Sequence, residues 1–135
     1  MPALQQKEKL NMAKTMAVLF GVVFLVVGIL GFVPAVTKDQ MLLGIFHVNT
    51  AHNAVHLLSG VVALFCGMSS LGASRIYFRI FGLVYALVAV LGFLNPGDTM
   101  LLGLISNNMA DTWLHVGIAA VSLLIGFMPA RAETA

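Results

Sequence analysis

A chain of 135 residues that is 60% hydrophobic and only 9% charged lies outside the range of soluble domains, whose charged share is about a quarter. The formal net charge of +2 comes from a few Lys and Arg residues spread along the chain rather than gathered into a patch, so nucleic acid is not an expected partner. Lipid is the expected surrounding of most of the chain, and residues 1–135 are expected to form a single membrane domain with no soluble module attached.

A bilayer core is about 30 Å thick and a helix rises about 1.5 Å per residue, so each crossing needs roughly 20 residues without charge. The first such stretch runs from Thr15 to Thr37. Lys7, Lys9 and Lys14 before it give the layout of a secretory signal, but the run exceeds the roughly 7 to 15 residues of a signal core and is read as a retained span. The second crossing lies between Asp39 and Arg75, the third follows Arg79, and the fourth runs from Thr112 to Ala130. Open sheet edges cannot face lipid and the strict alternation of barrel strands is missing, so the expected fold class is all-α, an integral membrane four-helix bundle. LLGIF and LLGLI, ahead of helices two and four, are expected as short amphipathic or re-entrant segments at the outer interface.

Lys7, Lys9 and Lys14 precede helix one, Arg75 and Arg79 fall at the connection from helix two to helix three, and Arg131 follows helix four. Lys38 alone falls on the other side. The positive-inside rule therefore places both termini in the cytoplasm, and the loops around Lys38 and Asp98 outside. Trp113 and Tyr77, near helix ends, read as interfacial anchors. Cys66, the single cysteine, reads as a small apolar residue of helix two. The eight methionines read as core or lipid-facing residues.

The chain repeats itself, with repeat one at about 15–69 and repeat two at about 76–129. FGVVFLVVGILGF, from Phe20, aligns with FGLVYALVAVLGF, from Phe81, with seven identities in thirteen positions. MLLGIFHVNTAHNAVH, from Met41, aligns without a gap with MLLGLISNNMADTWLH, from Met100. Asn49 thereby meets Asn108, His56 meets His115, and His52 meets Asp111. Polar residues matched at one membrane depth are improbable by composition alone. Two crossings per repeat imply two tandem helical hairpins of the same orientation, related by a pseudo-two-fold along the membrane normal. Asn49 and Asn108 stand where a side-chain oxygen caps a helix N-terminus. Gly28, Gly31, Gly60, Gly82, Gly92, Gly117 and Gly126 supply thin faces for close helix packing.

The pattern LLGIFHVNTAHNAVHLLSG, followed one repeat later by ADTWLH, resembles a bacterial family of small four-helix membrane proteins catalogued as domain of unknown function 4383. The likeness runs from about Ala17 to Met128 and rests on the Leu-Leu-Gly segment, the Asn cap and the paired His positions. It implies the four-helix architecture and makes these polar positions shared features of the family. It implies no reaction, substrate or cofactor.

His52 and His56 share one face of helix two, and Asp111 and His115 repeat that spacing on helix four. Three imidazoles and one carboxylate match a tetrahedral transition-metal shell for zinc, copper or iron. His56 and His115 also match the two axial ligands of a b-type haem. A polar network that only fixes helix packing is the competing reading. His47, whose repeat partner is Ser106, reads as an exposed interfacial histidine, or otherwise as a further ligand or metal-entry residue.

HNAVH has zinc-protease spacing, but Asn53 stands where the general-base Glu is needed. Glu8 and Glu133 are terminal, and Asp39 and Asp98 fall in loops, which removes any basis for paired-carboxylate catalysis. No catalytic residue is assigned. A structural subunit, packing on another membrane protein or on a second copy of itself, is the alternative to a cofactor-binding role. An ion or solute pathway is disfavoured because ionisable groups occupy only one half of the bundle.

Overall fold

The computed structural model describes residues 2–129 and, among them, four helices long and apolar enough to cross a membrane. They are α1 (Pro2–Leu30), α2 (Thr50–Ser69), α3 (Leu71–Leu94) and α4 (Met109–Phe127). Arg131 and Glu133 lie outside the described residues, as do the side chains of Lys7, Glu8 and Lys9. α1 packs chiefly along α2 and α3 along α4. Contact between α2 and α3, and between α1 and α3, is much sparser.

The close pairing follows from glycine at the crossing points. A Cβ on Gly60 would stand 2.9 Å from the Gly21 carbonyl oxygen, and one on Gly21 would stand 2.9 Å from the Gly60 oxygen. Gly21 faces Leu64 and Gly82 faces Leu123; Gly67 faces Val18 and Gly126 faces Arg79. Aligned positions thus meet aligned positions in the two halves. Gly117 has open space before it and makes no such approach.

Helix three begins earlier than its charges suggest. Ser70 is at once the C-cap of α2 and the N-cap of α3, its hydroxyl accepting from the Ala73 amide at 3.0 Å. Arg75 and Arg79 therefore lie within α3 rather than in a connection. Both reach the C-terminal end of α4: Arg75 donates to the Met128 carbonyl at 2.6 Å and Arg79 Nε to that of Gly126 at 2.7 Å. Two cations thereby satisfy carbonyls that a helix end leaves free and oppose its negative dipole end.

The segments ahead of α2 and α4 are short antiparallel strands, not amphipathic or re-entrant pieces. β1 (Thr37–Lys38), β2 (Met41–Leu42) and β3 (Phe46–His47) form one sheet in that order; β4 (Thr99–Leu101) and β5 (Ile105–Asn107) form the other. Their turns pass through two consecutive left-handed residues, Leu43 (φ 55) with Gly44 (φ 70) and Leu102 (φ 54) with Gly103 (φ 70). Such pairs match the twist of a tight hairpin but favour Asn, Asp or Gly at the first position. Leucine there hides the turn from sequence inspection.

Tyr77 is not an interfacial anchor. It is 3% exposed, packs with Ala13, Ala17, Ala63 and Phe78, and donates its hydroxyl to the Ser59 carbonyl at 3.3 Å. Trp113 is 62% exposed and stands edge-on to Phe93 with ring centroids 5.1 Å apart.

Candidate metal centre

The strand-bearing end of the bundle is knitted by the first turns of α2 and α4. Asn49 caps α2, its Oδ1 accepting from the His52 amide at 2.9 Å, and its Nδ2 donates across to the Leu104 carbonyl at 2.9 Å. Asn108 caps α4 in the same manner, accepting from the Asp111 amide at 3.0 Å and donating to the Ile45 carbonyl at 2.9 Å. Each cap thus bonds to the turn of the opposite half.

Asp111 completes a capping box. Its Oδ2 accepts from the amides of Asn108 and His47, both at 3.0 Å. At the aligned position of α2, His52 Nδ1 lies 2.7 Å from the Ser106 carbonyl and 3.2 Å from that of His47. A carbonyl only accepts, so Nδ1 carries the proton and Nε2 is left with its lone pair. The carboxylate accepts from position 47 where the imidazole donates to position 106.

His52, His56 and His115 are all buried, and one ring nitrogen of each lies within 4.8 Å of the others. Ring centroids are 4.5 Å apart for His52 and His56 and 5.9 Å apart for His52 and His115. Asp111 is not part of this group; its carboxylate serves the cap and the backbone of β3 instead. The structure therefore gathers three of the four metal-ligand candidates, all of them neutral donors.

His56 Nδ1 and His115 Nδ1 are buried with no hydrogen-bond partner among the described residues. Burying a polar group without a partner costs about 1–3 kcal/mol on protein scales, and more in lipid. Asn53 Oδ1 and Asn107 Oδ1, outside the histidine group, are likewise buried without a partner among the described residues. Tetrahedral zinc at about 2.0–2.1 Å from each nitrogen sets donors about 3.4 Å apart, against a spread of up to 4.8 Å here. His52 Nδ1–H on a backbone carbonyl is the kind of outer contact that fixes a ligating imidazole's tautomer.

Haem does not fit. The cavity beside the histidines has a volume of about 150 Å³. Sites for drug-sized ligands run to about 300–1,000 Å³, and a porphyrin is at the upper end of that class.

Sequence inspection passed over Phe24, Tyr85 and Ser59. The Tyr85 ring stacks on Phe24 at 5.7 Å and lies 5.5 Å from His115, and its hydroxyl is 3.4 Å from Ser59 Oγ. Phe24 also lies 5.7 Å from His56. A signal was present, because Tyr85 aligns with Phe24 in the repeat and adds a hydroxyl at membrane depth. His47 is half-buried rather than exposed, its Nδ1 is without a partner among the described residues, and it stays outside the three-histidine group.

Comparison with curated proteins and with solved structures finds no match. Residues 14–128, nearly the whole of the described chain including every residue of the site, match the family described as Domain of unknown function (DUF4383). With four membrane-length helices and a match over residues 14–128, the chain belongs to the DUF4383 family.

Proposed function

We propose that this protein is an integral membrane protein that binds a transition-metal ion through His52, His56 and His115. The observation that carries the reading is the group of three buried imidazoles, one ring nitrogen of each within 4.8 Å of the others. Three imidazoles suit zinc and copper, and a fourth coordination position stays open. No carboxylate joins the group, so the ion's charge is unbalanced; Cu(I), or a divalent ion with an anionic oxygen in the open position, suits it best.

The two halves arose as a tandem duplication of a helical hairpin, a reading supported by the reciprocal caps of Asn49 and Asn108 and by the matched glycine contacts. Both termini are cytoplasmic and the metal site lies near the outer face. Arg75 and Arg79 at the opposite end from Lys38 support this orientation.

Elemental analysis of protein purified in mild detergent tests the proposal. One equivalent of zinc or copper, retained or taken up on titration and lost in the His56→Ala/His115→Ala double variant, is the expected result. Protein that neither carries nor takes up either ion overturns the proposal.

A further inference from the structure

Arg75 and Arg79 stand about one turn apart on α3, both half-buried, and both are fixed against the C-terminal end of α4. Arg75 Nη2 donates to the Met128 carbonyl and Arg79 Nε to that of Gly126, while the Arg79 guanidinium lies over the Phe127 ring, 5.0 Å from its centroid. Two full charges exceed the roughly half charge that one helix end offers. The carboxylates among the described side chains, Asp39, Asp98 and Asp111, all belong to the strand-bearing end. Counted back from Leu94 at about 1.5 Å per residue, Arg79 stands about 22 Å and Arg75 about 28 Å along α3, against a hydrocarbon core about 30 Å thick. A surplus of positive charge is thus held where lipid phosphates begin. The same end of α4 carries an open apolar groove of about 770 Å³, along which Ala120, Leu123, Leu124 and Phe127 recur at helical spacing. The groove reaches Phe127 and Met128, the two residues that the arginines contact.

We infer that this end of the bundle is a binding site for one anionic phospholipid, with its phosphate on Arg75 and Arg79 and one acyl chain along the α4 groove. The inference rests on the membrane-spanning reading and is independent of the metal site. A guanidinium presents its N–H donors in a rigid fork that matches phosphate oxygens, and each arginine gives only one of them to a carbonyl. Those carbonyl bonds also fix the forks in advance, which lowers the ordering cost of binding. A choline lipid carries a cation of its own beside the phosphate, and like charge against the arginines is unfavourable. A lipid of net negative charge has no such conflict. Its acyl chain meets only apolar side chains in the groove, so head and tail are both matched.

Native mass spectrometry of the full chain in mild detergent tests the site, with chain-matched dioleoyl phosphatidylglycerol and dioleoyl phosphatidylcholine supplied at equal concentration. One phosphatidylglycerol is expected to be retained, about tenfold or more in preference to phosphatidylcholine. Arg75→Gln/Arg79→Gln, whose amides can still donate to the α4 carbonyls, is expected to abolish the preference. Lys14→Gln removes another cation at the same end of the bundle, one turn from Val18 and Gly67, and is expected to leave the preference intact. Ala120→Trp fills the groove from an exposed position and is expected to weaken retention of phosphatidylglycerol severalfold. Equal retention of the two lipids overturns the inference, as does a preference that survives the double arginine variant or falls as far in Lys14→Gln. Displacement of the lipid by an equal concentration of glycerol 3-phosphate reveals a phosphate site without a groove and overturns it as well. If the double arginine variant does not fold, undiminished retention in Ala120→Trp is the overturning result.

Discussion

Asn49 and Asn108 hold one another's turns: each caps its own helix and donates its amide 2.9 Å across to a carbonyl of the opposite half, Leu104 for Asn49 and Ile45 for Asn108. The exchange ties the two helix pairs together at the end of the bundle where the histidines sit. A cap is worth about 1 kcal/mol and a hydrogen bond of this kind about 1 more. Asn49→Ala and Asn108→Ala are each expected to lower stability by about 2 kcal/mol in denaturant titrations in detergent. The double variant should lose less than the sum, since both act in one network.

Asp111→Asn separates a capping carboxylate from a metal ligand. Its Oδ2 accepts from two backbone amides, and a carbamoyl oxygen accepts more weakly than a charged one. A loss of about 1–2 kcal/mol in stability with metal stoichiometry unchanged is expected. Loss of the metal in this variant, with the fold retained, would put Asp111 back among the ligands.

His56→Phe and His115→Leu remove the orphaned nitrogens and leave shapes of similar bulk. In metal-free protein each is expected to raise stability by about 1 kcal/mol, because an unsatisfied buried polar atom disappears. Metal uptake should vanish in both. A structural hydrogen-bond role for these imidazoles predicts the opposite sign in the stability measurement.

Chelation should act through the same group. A ligand that binds only the native state stabilises it by about 2.7 kcal/mol at a hundredfold excess over Kd. Adding zinc or Cu(I) to metal-free protein is expected to raise the unfolding midpoint, and a chelator to reverse the rise. The His56→Ala/His115→Ala variant should show neither effect.

Leu102→Asn tests the turn. Leu102 holds φ 54 and is 78% exposed, so its side chain contributes little packing while its backbone occupies the left-handed region. Asn tolerates that region, and relief of about 1 kcal/mol is expected in the stability of the isolated bundle. Gly60→Ala is expected to be destabilising by more, because the added Cβ meets Leu25 and the Gly21 carbonyl, both parts of a packed helix.

Much of the architecture is written along the chain. Four charge-free runs of about 20 residues have only one way to satisfy their backbone groups in lipid, which is locally, within a helix, so helix count follows from composition. The bounds were less legible. Arg75 and Arg79 looked like a loop because charge marks the edge of lipid, yet a helix carries charge without ending, and both guanidinium groups find carbonyls of α4. Tyr77 reads as interfacial because it is an aromatic residue near a helix end, although its hydroxyl has a buried partner in the Ser59 carbonyl.

The sequence alone aligned His56 with His115, His52 with Asp111, and Asn49 with Asn108. Only the tertiary structure decided how these residues divide the work. It gathered three imidazoles and left two of their nitrogens unpartnered, and it turned the carboxylate toward β3 and its own helix cap. Spacing along a helix fixes which face a side chain shares, because 3.6 residues make a turn. What lies opposite that face depends on how α2 and α4 approach each other, and the packing between helices sets that approach.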